Sequence, residues 1–169
     1  MNSRKILRLF FPALLIVLLS TCAGIPRKKI DAAVHLPDAA PPPAMMRVSA
    51  AEPEIIYSDG LQRNTGPYKN IISTLAEKYG FTGEGAGQSE AETYIVEIHI
   101  WEEKFLKSVE TWYAVTAAAF LLHTRSGKNI ISLTFVEESR QPLKNSYHLY
   151  TVLDTIIKEL ADVLSVPEE

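Results

Sequence analysis

The chain has 169 residues, a formal net charge of −3 and a sequence pI near 5.8. That balance excludes the strongly basic field on which nucleic-acid binding draws, and the length suits one domain with an appended segment. Cys22 is the only cysteine, which excludes an internal disulfide or a CxxC centre.

The amino-terminal segment opens with Arg4, Lys5 and Arg8, continues as an apolar run to Leu19 broken by Pro12, and ends Leu19-Ser20-Thr21-Cys22 with Ala23 and Gly24 behind it. A run of about eleven apolar residues is too short for a permanent membrane span. The segment resembles a bacterial lipoprotein signal peptide over residues 1–21, with Thr21 a less common residue before the cysteine. The resemblance implies a diacylglycerol on the Cys22 thiol, cleavage before it and acylation of the new amino group. Several acyl chains hold a protein on a membrane more firmly than one. Ala23 in the sorting position implies the outer membrane, with the domain facing the periplasm. The alternatives are an uncleaved anchor helix or a secretory peptide with an incidental cysteine.

Residues 22–53 are expected to be the acylated cysteine and a Pro/Ala-rich tether. Pro26, Pro37, Pro41, Pro42, Pro43 and Pro53 fall here, and no helical or strand period persists. Thirty residues of polyproline-like chain reach at most roughly 90 Å. Arg27, Lys28 and Lys29 stand either as solvated linker charges or as contacts to anionic lipid headgroups. Residues 45–48 have the alternative of packing onto the domain as an edge strand.

Residues 54–169 are expected to form the globular domain. Residues 54–58 are β-rich and precede the Asp59-Gly60 turn signal. Thr65 or Asn64 then caps a helix with Pro67 in its first turn, and Tyr68, Ile71, Ile72, Leu75, Ala76 and Tyr79 make its apolar face. Gly80 ends it, and residues 81–91 are a Gly-rich loop. Residues 93–101 alternate, with Tyr94, Val96, Ile98 and Ile100 on one face and Glu97 and His99 on the other. Charged residues 102–110 read as a hairpin connection. Residues 112–123 read as a second long strand despite Ala117, Ala118 and Ala119, which favour helix. A polar hairpin loop over 124–129 leads to a third strand over 130–136. Asn145 or Ser146 caps a last helix carrying Leu149, Val152, Leu153, Ile156, Ile157, Leu160, Val163 and Leu164. The expected fold is an α+β two-layer sandwich, β-α-β-β-β-α, with both helices on one face of a mostly antiparallel sheet. The partner and direction of its first strand stay open.

Three stretches carry a family resemblance: Tyr94-Ile95-Val96-Glu97-Ile98-His99-Ile100, Leu122-His123-Thr124-Arg125-Ser126-Gly127-Lys128, and the helix over 147–164. Over residues 54–164 the chain resembles the TolB amino-terminal-like domain of small envelope proteins. Related architectures occur in penicillin-binding-protein activator lipoproteins, auxiliary lipoproteins of polysaccharide export and the lipopolysaccharide-assembly lipoprotein LptE. The Pro-rich tether looks most like the activators. The resemblance implies a lipid-anchored periplasmic adaptor that binds another envelope protein in an assembly, transport or cell-wall synthesis complex. Its rival is a self-assembling component of an outer-membrane export or secretion channel, a homo-oligomer. A small-molecule or lipid carrier is a third reading.

No catalytic pattern stands out, and the chain is expected not to be an enzyme and to need no cofactor. His35, His99, His123 and His148 lack metal-ligand spacing, so no metal is expected. Glu102, Glu103, Glu137 and Glu138 read as solvated strand ends. The glycines 83, 85 and 87 follow a helix and precede a strand, the wrong order for a phosphate loop. Candidate partner-binding residues are Trp101, Trp112 and His123, with the rings of Trp101 and Trp112 as either exposed anchors or rim of the core. Beyond the membrane and an envelope protein, no nucleic-acid partner is expected.

Overall fold

The computed structural model describes residues 28–34, 42–61, 63–82 and 93–165. Cys22, the signal-peptide segment, His35 and residues 83–91 of the Gly-rich stretch lie outside them.

Six strands and two helices follow one another as β1 (Lys28–Val34), a 3-10 turn (Pro43–Met45), β2 (Arg47–Ala50), β3 (Glu54–Ile56), α1 (Gly66–Lys78), β4 (Thr93–Lys107), β5 (Glu110–His123), β6 (Asn129–Ser139) and α2 (Ser146–Ser165). The sheet order is β1-β6-β5-β4-β2, and β3 also lies along β4. The β4-β5-β6 meander and β1 are antiparallel, whereas β2 and β3 run parallel to β4. Strands β2 and β3 thus form one interrupted edge, and Pro53, which has no N–H to give a ladder, sits in the break.

The alternation of β4 buries Tyr94, Val96, Ile98 and Ile100. They join Val115, Ala117, Ala119 and Leu121 of β5, Ile131, Leu133 and Phe135 of β6, and the apolar stripes of α1 and α2 in one core. This is the expected α+β class with helices against one face. The two helices are clasped by Asp154, which accepts from Lys78 Nζ at 2.7 Å and Tyr79 Oη at 2.9 Å. Burial opposes the Asp154 charge, but these two donors outweigh it and hold the carboxyl below its usual range.

Helix ends follow local chemistry. Asn64 Oδ1 accepts the Gly66 N–H at 3.0 Å, and Asn145 Oδ1 accepts the Tyr147 N–H at 3.0 Å. At the end of α1 the Phe81 N–H reaches the Ala76 carbonyl and the Gly80 N–H the Glu77 carbonyl, with Gly80 at φ +91°. That is a Schellman motif, and it requires the glycine.

Two expectations are corrected. The segment over 22–53 is not a free tether throughout: residues 28–34 pair with β6, and 47–50 pair with β4. Met46, Val48 and Ala50 belong to the core. The edge-strand alternative for 45–48 is therefore the observed one. Secondly, the hairpin connection is much shorter than residues 102–110. Strand β4 continues to Lys107, and only Ser108 and Val109 turn the chain.

Both turn residues have positive φ, 51° and 64°, the signature of a type I′ hairpin. Asn-Gly would fill such a turn at low cost, whereas a β-branched residue at positive φ is strained. Val109→Gly is expected to raise the unfolding free energy by about 1 kcal/mol, seen as a higher urea midpoint. A lower midpoint would mean that the Val109 side chain stabilises the fold itself.

Candidate interaction surface

The helices cover one sheet face, and on the other the odd-numbered residues of β4 are only half-buried or exposed from Ile95 to Lys107. Its centre is an aromatic cluster. His99 stacks on Trp101 with ring centroids 6.2 Å apart and meets Phe120 edge-on at 5.9 Å. His99 Nδ1 lies 2.9 Å from Glu54 Oε2, so the imidazole is oriented by a carboxylate from β3. Trp101 is 40% exposed, and its register partner Ile56 is exposed beside it. The result is a partly exposed aromatic platform with one hydrogen-bonding edge, the surface type that anchors protein partners.

The three candidate residues do not share this platform. Trp112 lies on the same face but is 1% exposed. Lys107 Nζ sits 4.7 Å and Arg140 Cζ 5.2 Å from its ring centroid. Those cations are held by Glu138 at 2.7 Å and Glu110 at 2.8 Å. Trp112 is thus roofed within its own chain and offers no exposed anchor. His123 pairs with the inward-facing Tyr94, its ring 5.3 Å away, and Nδ1 lies 2.9 Å from Ser126 Oγ. It belongs to the other face, at the far end of β4. Cys22 lies outside the described residues.

Two buried polar groups escaped sequence reasoning. Glu102 points inward at the end of the core alternation. Its Oε1 accepts the Ser58 N–H at 3.1 Å, and its Oε2 accepts the Leu143 N–H. One carboxylate therefore fastens the loop before α1 to the loop before α2. It forms part of the wall of an open cleft of about 250 Å³, lined also by Tyr57, Arg63, Lys104, Tyr113 and Lys144. Arg63 lies over the Tyr57 ring at 4.4 Å and is paired with Asp59 at 2.8 Å.

The other group is His148, buried in the first turn of α2, with Nε2 3.1 Å from Glu137 Oε1. Glu137 and Glu138 are hence paired strand residues, not solvated ends. Burial disfavours the His148 charge, but the Glu137 carboxylate outweighs it and raises the imidazole above its ordinary value near 6.5. A raised folded-state value stabilises the protonated form. The contribution is complete below the unfolded value and fades as pH rises through the raised one. Urea midpoints are expected to fall as pH rises past the ordinary imidazole value, with a shallower fall in His148→Gln. Equal slopes in both proteins would refute the assignment.

Among the described residues no three His, Cys, Asp or Glu side chains converge as a metal site, and no helix is long and apolar enough to cross a membrane.

No family model matches the chain, and no curated protein does. Solved structures do. A point-variant PelC dodecamer from Paraburkholderia phytofirmans aligns with a TM-score of 0.52 at 15% identity, covering 84% of this chain and 100% of that one. A second PelC dodecamer from the same organism gives 0.51 at 12% identity, with the same coverages. Lipoprotein GNA1162 from Neisseria meningitidis aligns at 0.39 with 15% identity over 69% of this chain and 99% of its own. At such identities the likeness to PelC is one of fold, and the domain described here has that fold.

Proposed function

We propose that this chain is a lipid-anchored accessory protein of the bacterial envelope. It is held on the outer membrane by acyl chains on Cys22, and it acts by binding another envelope protein, not by catalysis. The observation that carries the reading is the uncovered platform of Trp101, His99 and Phe120, ordered by Glu54 and covered by no described element. The lipoprotein-like order of the segment ending at Cys22 supports the placement. A second reading, a ring of identical copies serving export, is favoured by one observation: both PelC neighbours were solved as dodecamers.

A photoreactive residue at Trp101, activated in living cells, separates the two. Adducts to one other envelope protein support the adaptor; adducts only to further copies of the chain support the ring. An unlinked chain counts against both. Trp101→Ala is expected to weaken the captured interaction by about 2 kcal/mol, roughly 30-fold, because an exposed aromatic at the centre of a platform is a typical hot spot. The melting temperature is expected to stay near that of the parent. Unchanged capture would remove Trp101 from the interface.

A further inference from the structure

The tip of the β4–β5 hairpin exposes two large apolar side chains, Leu106 at 76% and Val109 at 99%. Nothing in the fold requires Val109 there, since its φ of 64° is the kind that glycine or asparagine adopts freely. An apolar, strained residue at a fully exposed tip calls for an occupant outside the domain.

The position of β1 identifies it. Lys28 pairs with Glu137, and Glu137 with Val115, so β1 starts level with Val115. Strand β1 is antiparallel to β6 and hence runs in the direction of β5, so its start faces the hairpin end of the sheet. From Val115 to the start of β5 at Glu110 is five residues, about 17 Å. Cys22 precedes Lys28 by six positions, which chain geometry limits to about 20 Å. An acyl group on Cys22 therefore keeps the leaflet within one hairpin overhang of Lys28. The charges nearest the tip are already neutralised by ion pairs, Arg140 with Glu110 and Lys107 with Glu138. Those pairs spare the tip unpaired charge in an apolar medium.

We infer that the hairpin tip, Leu106 and Val109, dips into the same lipid leaflet that holds the acylated Cys22. It is a second, non-covalent foot that fixes how the domain stands on the membrane. The inference rests on the acylation of Cys22 in the reading above.

The test uses the mature, acylated full chain in phosphatidylethanolamine–phosphatidylglycerol vesicles. An acylated Cys22 leaves a single introduced thiol free to take an environment-sensitive fluorophore. The sites are Val109→Cys and Leu106→Cys, with Arg125→Cys in the turn at the opposite end as the control. With headgroup-proximal quencher lipids, the two tip probes are expected to shift to the blue and lose most of their emission. The Arg125 probe is expected to do neither. Val109→Asp on the Leu106→Cys background is expected to restore the emission. Because that variant could disturb the hairpin, Val109→Gly, which relieves the turn, is expected to restore it too. An intact mass without acyl groups on Cys22 would overturn the lipoprotein reading and this inference with it. A normally acylated, vesicle-bound chain whose tip probes match Arg125 would overturn this inference alone. So would tip probes that are wet on vesicles but shielded in cells, since the occupant would then be a protein.

Discussion

Glu102→Ala is expected to lower the unfolding free energy by about 3 kcal/mol, read from urea denaturation. Glu102 is buried, and its two oxygens receive backbone N–H groups from segments more than 80 positions apart, Ser58 and Leu143. Truncation leaves both donors without their acceptor, and unsatisfied buried groups cost more than the bonds contribute. Glu102→Gln is expected to lose about half as much, since its amide keeps one carbonyl oxygen and turns an NH2 toward the other donor. Both variants should also loosen the cleft between the two loops. An alanine variant within about 0.5 kcal/mol of the parent would show that solvent replaces the carboxylate and that the bridge does not hold the loops.

Phe135→Ala is expected to cost about 4 kcal/mol, the range for removing a fully buried ring. Phe135 is completely buried on β6, between Ala117 of β5 and Ile30 of β1 in the register. Lys28 Nζ also lies 5.4 Å from its ring centroid, so the ring holds the first residue of β1 as well as the core. Amide hydrogen exchange should therefore quicken along residues 28–34 before it quickens in β4 and β5. Uniform quickening across the sheet would mean that β1 shares the global stability and has no local dependence on Phe135.

The parts of this fold that were legible are those written in local periodicity. The two helical stripes, the Gly80 stop, the Asn145 cap and the Asn64 bond to the first helical N–H are decided within a few residues of themselves. The meander from β4 to β6 shows as alternation between short turns. Strands β1 and β2 were hidden because Lys28-Lys29-Ile30-Asp31-Ala32-Ala33-Val34 and Arg47-Val48-Ser49-Ala50 carry weak alternation among prolines, and their partners lie far along the chain. Glu102 looked solvated because its acceptor role is set by loops that sequence cannot bring together. Trp101, Trp112 and His123 share one region of sequence, but register places His123 on the opposite face and the cations at 107 and 140 cover Trp112. Composition marked the aromatic residues; only the pairing of strands decides which of them meets solvent.

Pairing of β1 with β6 has a consequence in time. Lys28 and its register partner Glu137 lie about a hundred positions apart, so the loop they close is nearly the whole domain. A chain made from its amino terminus offers β1 first and its template last. The meander can assemble while the opening strand still waits, and such long-range closures come late and slowly. Until β6 arrives, residues 28–34 have no sheet edge to join. Closure of that last pairing then completes the sheet, so the strand made first is among the last to be seated.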